Sequence, residues 1–173
     1  MLAFIITTAA TFVVYLVLTA GSGEFLMFWS PEEIIMGLFL SVIVGAIARH
    51  YLCMSKNYRM LNPKRWLLFI VYGFGPFFLA MAKANIDVAY RVITGKIRPG
   101  IVKIDPKLKT DYGVTFLANS ITLTPGTLSV DVDEANALYI HWINVPEGEE
   151  KKEYADIKKV CGSFAEWARR VAE

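Results

Sequence analysis

The chain has 173 residues, 55% of them hydrophobic and 20% charged, with a formal net charge of +2 and a mean hydropathy of +0.42. So apolar a composition points to a membrane protein, and the small net charge, with bases scattered among acids, excludes a nucleic-acid partner. The two cysteines, Cys53 and Cys161, are far apart and match no metal-ligand spacing, so free thiols used as small apolar residues are expected.

Residues 2–20 carry no charge and match the length needed to cross a hydrocarbon core. No Lys or Arg precedes the run, which argues for an anchor over a cleaved signal. A connector holding only acids, among them Glu24, leads to Ser30-Pro31-Glu32-Glu33. These residues supply an N-cap, a Pro in the first turn and a Glu at the third helical position, so a second span is expected over about 32–50. Within it Gly37, Ser41 and Gly45 recur every four residues, a seam that would let another helix approach closely. The next connector holds Arg49, Lys56, Arg59, Lys64 and Arg65 with no acid between them. By the positive-inside rule this loop and the amino terminus are expected to be cytoplasmic.

A third apolar run, 66–82, is interrupted by Gly73, Gly75 and Pro76. It either spans or lies at the interface, and the two alternatives put the rest of the chain on opposite sides of the bilayer. The run continues to about residue 94 as an amphipathic helix, with Ile86, Ala89, Tyr90 and Ile93 on one face and Lys83, Asp87 and Arg91 stacked on another. Lys83 and Asp87 can be read as a proton-relay pair or as a solvated helical pair; their place at the end of the run favours the second.

From residue 96 the pattern becomes that of a small water-soluble domain. Ile97-Arg98-Pro99-Gly100 turns the chain and IVKID, 101–105, alternates as a strand. Residues 111–119 read as a helix. Pro125-Gly126 has the composition of a type II turn, and the strand after it, 127–133, places Leu128, Val130 and Val132 on one face. A polar turn over 133–136 then joins that strand to LYIHWINV, forming a hairpin. PEGEEKKE reads as a solvated charge run opening a last helix, on which Tyr154, Ile157, Val160, Phe164, Trp167 and Val171 make an apolar face. The expected fold is an α-helical membrane anchor, 1–95, followed by a small α/β domain, 96–173, of order β-α-β-β-α.

No phosphate loop, paired-His metal motif or nucleophile elbow occurs in the sequence, so no catalytic residue, metal or cofactor is predicted. His141, beside Trp142 on a strand, has no nucleophile or ligand pattern around it and is expected to be structural.

Three blocks, IRPG at 97–100, LANSITLTPGTLSVDV at 117–132 and LYIHWINV at 138–145, closely resemble the E-type subunits of the Mrp or Mnh multisubunit monovalent cation/proton antiporters. The resemblance extends to the equivalent subunit of archaeal membrane-bound hydrogenases and related respiratory complexes. It implies a multi-pass membrane subunit with a cytoplasmic domain, an accessory role in a cation-translocating module, and other hydrophobic subunits and the lipid bilayer as partners. Asn119, Thr124, Pro125, Gly126 and His141 match the family pattern and are expected to be structural or subunit-contact positions. A membrane-tethered ligand-binding or enzymatic domain and a self-sufficient ion carrier are the rival readings. A carrier would need membrane-buried charges, and the first two spans contain none before Arg49.

Overall fold

The computed structural model describes residues 1–21, 28–52 and 62–173, and the chain forms two compact units, Met1–Tyr58 and Arg59–Glu173. Cys53, Lys56, Arg59 and Glu24 lie outside the described residues.

In the first unit, α1 (Leu2–Leu18) packs against α2 (Pro31–Leu52). The capping box at the start of α2 is formed: the Glu33 N–H donates to Ser30 Oγ at 3.2 Å and the Ser30 N–H to Glu33 Oε2 at 2.9 Å. The Gly/Ser seam faces α1, and Ser41 is buried against it. A Cβ on Gly37 would collide with the Tyr15 ring, and one on Gly45 with Thr8, whose backbone nitrogen stands 3.2 Å away. The two contacts run in opposite chain directions, so the helices are antiparallel, and their missing side chains set how closely they approach. Val13, Val17, Ile35, Phe39 and Ile47 point outward and are exposed.

The second unit begins with the continuous helix α3 (Pro63–Thr94). Asn62 caps it through Oδ1, which accepts from the Lys64 N–H at 3.0 Å, and Pro63 occupies the first turn. Pro76 has no N–H and its ring would press on the carbonyl one turn back. The helix widens to π geometry over Gly73–Phe77 and continues instead of breaking. Gly95, at φ +67°, ends it in the left-handed conformation.

The remaining chain builds β1 (Gly100–Ile104), α4 (Asp111–Thr122), β2 (Thr127–Val132), β3 (Leu138–Trp142), α5 (Ile157–Cys161) and α6 (Phe164–Ala172). The strands form one antiparallel sheet of order β1-β3-β2, in the sequence β-α-β-β-α-α. Val102, Ile104, Leu138 and Ile140 are buried in one core with Leu117 and Ile121 of α4 and Ala168 and Val171 of α6. On the far side of those helices lies α3. Tyr72 of α3, 4% exposed, packs its ring against Phe116 at 4.9 Å, Trp167 at 5.7 Å and Phe164 at 5.9 Å. Its hydroxyl donates to Ser120 Oγ at 2.7 Å, and Ser120 Oγ donates to the Phe116 carbonyl at 2.8 Å. The unit is therefore three layers deep.

Two expectations are corrected. Leu128, Val130 and Val132 do not share one face of β2: Leu128 stands opposite the exposed His141 and Val132 opposite the buried Leu138, while Ser129 Oγ donates to the Ala118 carbonyl at 3.1 Å and Thr127 Oγ1 to the Ile121 carbonyl at 2.8 Å. This edge strand runs beside the carboxyl-terminal half of α4, whose Ala118 and Ile121 carbonyls accept the two hydroxyls. A bulge between Ser129 and Asp131 then returns Val132 to the side of Leu138. The last helix is also not continuous. Gly162, at φ +56°, separates α5 from α6, and the charged run before them folds as a 3-10 turn, Glu149–Lys151, with Glu149 buried.

Replacing Gly45 with Leu is expected to destabilise the α1–α2 pair by about 1–3 kcal/mol through overpacking, read as a lower thermal midpoint in detergent. Tyr72→Phe should cost about 1 kcal/mol, the net worth of one hydrogen bond. Tyr72→Ala should cost about 3–5 kcal/mol, a contrast measurable by chemical denaturation.

Candidate functional site

The residues singled out by sequence sit in three different places. Thr124, Pro125 and Gly126 form the turn that carries α4 into β2. Thr124 Oγ1 donates to the Ser120 carbonyl at 2.8 Å, and the Ile143 N–H donates to the Gly126 carbonyl at 2.8 Å. Gly126 has φ +90°, as the third residue of a type II turn requires, and a Cβ there would stand 3.0 Å from Ile143 Cγ2 and 3.3 Å from Val88 Cγ2 of α3. This turn is a structural joint between the sheet and the long helix.

Asn119 is exposed on α4, beside a cleft against α3. His141 lies on the opposite side of the domain, on the sheet face that no described element covers. Its register partners there are Ile101 and Leu128, both exposed. They put apolar carbon on both sides of one imidazole. The other half of the face is polar: Lys103 pairs with Asp133 at 2.8 Å and lies over the Tyr139 and Tyr154 rings. The Asp133 carboxylate raises the Lys103 ammonium above its ordinary range, and that ammonium holds Asp133 below its own.

Lys83 and Asp87 are not brought together as a pair. Asp87 is held by Arg91, with Nε to Oδ2 at 2.6 Å and Nη2 to Oδ1 at 3.0 Å, along one flank of α3. Cys161 is buried, and burial pushes its thiol up to about 12, so it is an inert core group. Among the described residues no group of His, Cys, Asp or Glu could hold a metal ion.

Nothing in the sequence signals Glu149, the one buried acid among the described residues. Its carboxylate accepts from Lys159 Nζ at 2.6 Å, the Asp156 N–H at 3.0 Å and Lys152 Nζ at 2.9 Å, which together hold its pKa down to about 2. The N–H of Ala155 in the same segment donates to the Lys103 carbonyl at 2.7 Å, covering part of the β1 edge. One carboxylate thus ties together the segment 149–159 of the tail.

Residues 8–170 match the family described as MNHE, Na+/H+ ion antiporter subunit. The chain belongs to this family. The E subunit of the Na+/H+ antiporter of Alkalihalophilus pseudofirmus is 35% identical over 124 residues, 70% of this chain and 75% of the relative. The E1 subunit from Staphylococcus haemolyticus is 41% identical over 100 residues, 56% and 60% respectively. A chain in the structure of the membrane-bound sulfane sulfur reductase, an archaeal respiratory membrane complex, is 33% identical with a TM-score of 0.76, each chain covered over 98%. As an MNHE-family antiporter subunit, the protein is a membrane protein. Two of its helices, Pro31–Arg49 and Pro63–Thr94, are long and apolar enough to cross a bilayer; α1 is shorter.

The electrostatics of the tail give a pH dependence. A carboxyl whose folded pKa is depressed stabilises the fold above its unfolded value of about 4.3, and that stability is lost as pH falls through the folded value of about 2. Glu149→Gln is expected to lower the midpoint of unfolding at pH 7 and to flatten its fall between those two values, as followed by circular dichroism.

Proposed function

We propose that this MNHE-family subunit is an accessory, non-catalytic member of a multisubunit cation/proton antiporter module, supporting its assembly and thereby its ion translocation, with other hydrophobic subunits as partners. The observation that carries this reading is the uncovered sheet face, where Ile101 and Leu128 flank His141, with Val130 exposed on the same edge strand, on a domain whose helical side is already occupied by α3. A half-apolar face of this kind suits contact with another protein. Residues 2–20 and 34–48 contain no acidic or basic side chain, which speaks against a self-sufficient carrier. The Asp87–Arg91 ion pair favours a solvated stripe over a proton relay through Lys83 and Asp87. In this reading His141 is a subunit-contact residue, Thr124, Pro125 and Gly126 are structural, and Asn119 faces a ligand or partner at the cleft.

The packing of α3 also bears on topology. The domain touches α3 from Arg65, whose Nη1 donates to the Val171 carbonyl at 2.8 Å, as far as Val88 beside Gly126. That is about 35 Å of helix at 1.5 Å per residue, against a hydrocarbon core of about 30 Å. A crossing α3 would draw the charged domain into lipid. The helix instead lies at the interface, with Trp66, Leu67, Ile70, Phe74, Phe78 and Ile86 toward the bilayer. With residues 2–20 read as a span beside α2, and the amino terminus cytoplasmic by the positive-inside rule, the domain is cytoplasmic.

Two measurements test this. The double substitution Leu128→Asp, Val130→Asp is expected to reduce recovery of partner subunits with the tagged protein at least tenfold while leaving its thermal midpoint within a degree or two. Recovery of the unaltered protein as a lone, transport-active monomer in liposomes would sink the proposal. A cysteine at Gly148 should resist an impermeant thiol reagent applied outside the cell.

A further inference from the structure

Between α3 and α4 lies a cleft of about 410 Å³ lined by Phe69, Tyr72, Gly73 and Phe77 on one side and by Tyr112, Thr115, Phe116, Asn119, Ser120 and Leu123 toward the other. That volume is in the range of sites that hold small molecules. No charged side chain is among these lining residues. The polar atoms of its floor are already spent, since the Tyr72 hydroxyl donates to Ser120 Oγ and Ser120 Oγ to the Phe116 carbonyl. A guest there meets hydrocarbon and aromatic carbon. At the rim the chemistry changes: Tyr112, Thr115 and Asn119 are exposed or half-buried, and the Thr115 hydroxyl and Asn119 carboxamide make no side-chain hydrogen bond among the described residues.

We propose that this cleft seats one acyl chain of a bilayer glycerolipid, with the ester region of that lipid at the rim formed by Tyr112, Thr115 and Asn119. The cleft is continuous with the outer apolar face of α3: Phe69 lines it and is exposed beside Ile70, and Gly73 lines it next to the exposed Phe74. An apolar slot opening beside a lipid-facing helix is reached by a tail without passing through water. Neutral donors and acceptors at the mouth match ester carbonyls, which carry no charge and accept hydrogen bonds. The π turn contributes directly. Gly73 has ordinary helical torsions, and nothing stands within 4 Å of where its Cβ would be, so the open space beside it is part of the seat. This inference rests on the interfacial posture of α3 and not on the accessory role of the subunit.

The test uses the full chain in its native complex, exchanged into nanodiscs containing a phosphatidylcholine with a diazirine at the end of one acyl chain. After photolysis, labelled peptides are mapped by mass spectrometry. Label is expected on the α4 wall, at Tyr112 to Leu123, as well as on Ile70 and Phe74. Gly73→Leu, which fills the slot in a torsion it tolerates, should reduce the α4 label at least tenfold and leave that at Phe74 unchanged. Thr115→Trp, which plugs the mouth from an exposed position on α4, provides the same readout should Gly73→Leu misfold. Absence of α4 label in the unaltered complex overturns the proposal, as does α4 label indifferent to both substitutions. Label on α4 in the isolated chain but not in the complex assigns the cleft to side chains of a neighbouring protein and equally overturns it. Loss of label at Phe74 in the unaltered protein would instead refute the interfacial posture.

Discussion

The fold depends on the burial of Tyr72. Its ring is packed by Phe116, Phe164 and Trp167, and its hydroxyl has one partner, Ser120, which is itself committed to the backbone of α4. A tyrosine can be buried in an apolar layer only where its hydroxyl is satisfied. Placing Ser120 one turn after Phe116 supplies both the ring contact and the acceptor from one helix face. The long helix and the domain are thereby one body, with α3 as the outermost of three layers.

This arrangement answers a problem of size. Residues 96–173 alone would be too few to bury a generous core, and their sheet is covered by helices on one side alone. Adding Leu68, Tyr72, Phe77 and Ala80 of α3 to the core lends the domain apolar surface from a segment that composition assigns to the membrane. In the interfacial posture proposed for α3, the boundary between lipid and water would run along its length, between its two faces.

Much of this was legible in the sequence because the signals were local. The capping box at Ser30, the small-residue seam of α2, the end of α3 near Thr94 and the Pro125-Gly126 turn each follow from a few adjacent residues whose torsions or volumes have few alternatives. The order of strands and helices followed from alternation and turn chemistry. What periodicity could not supply was the bulge that moves Val132 to the other side from Leu128, or which side Leu128 takes. The side was decided by carbonyls at the end of α4 that attract Ser129 and Thr127. The buried Glu149 was hidden for the same reason, since its lysine partners are three and ten positions away within a run that looks solvated. The Tyr72–Ser120 bond joins residues 48 apart and left no sequence mark.

The rigidity of each folded unit is what the proposed accessory role would draw on, since the apolar stretches of the first two helices hold no charged groups. A helix pair held together by missing side chains at Gly37 and Gly45 resists sliding, because any shift brings backbone onto Tyr15 or Thr8. A domain fused along α3 resists tilting, because rotation about the helix would expose Tyr72 and strand the Ser120 hydroxyl. Each unit thus presents rigid apolar faces, and rigid faces are what neighbouring membrane subunits with polar pathways need in order to keep those pathways in register. In the proposed accessory role, charge would move through the neighbours and this chain would fix the distance between them.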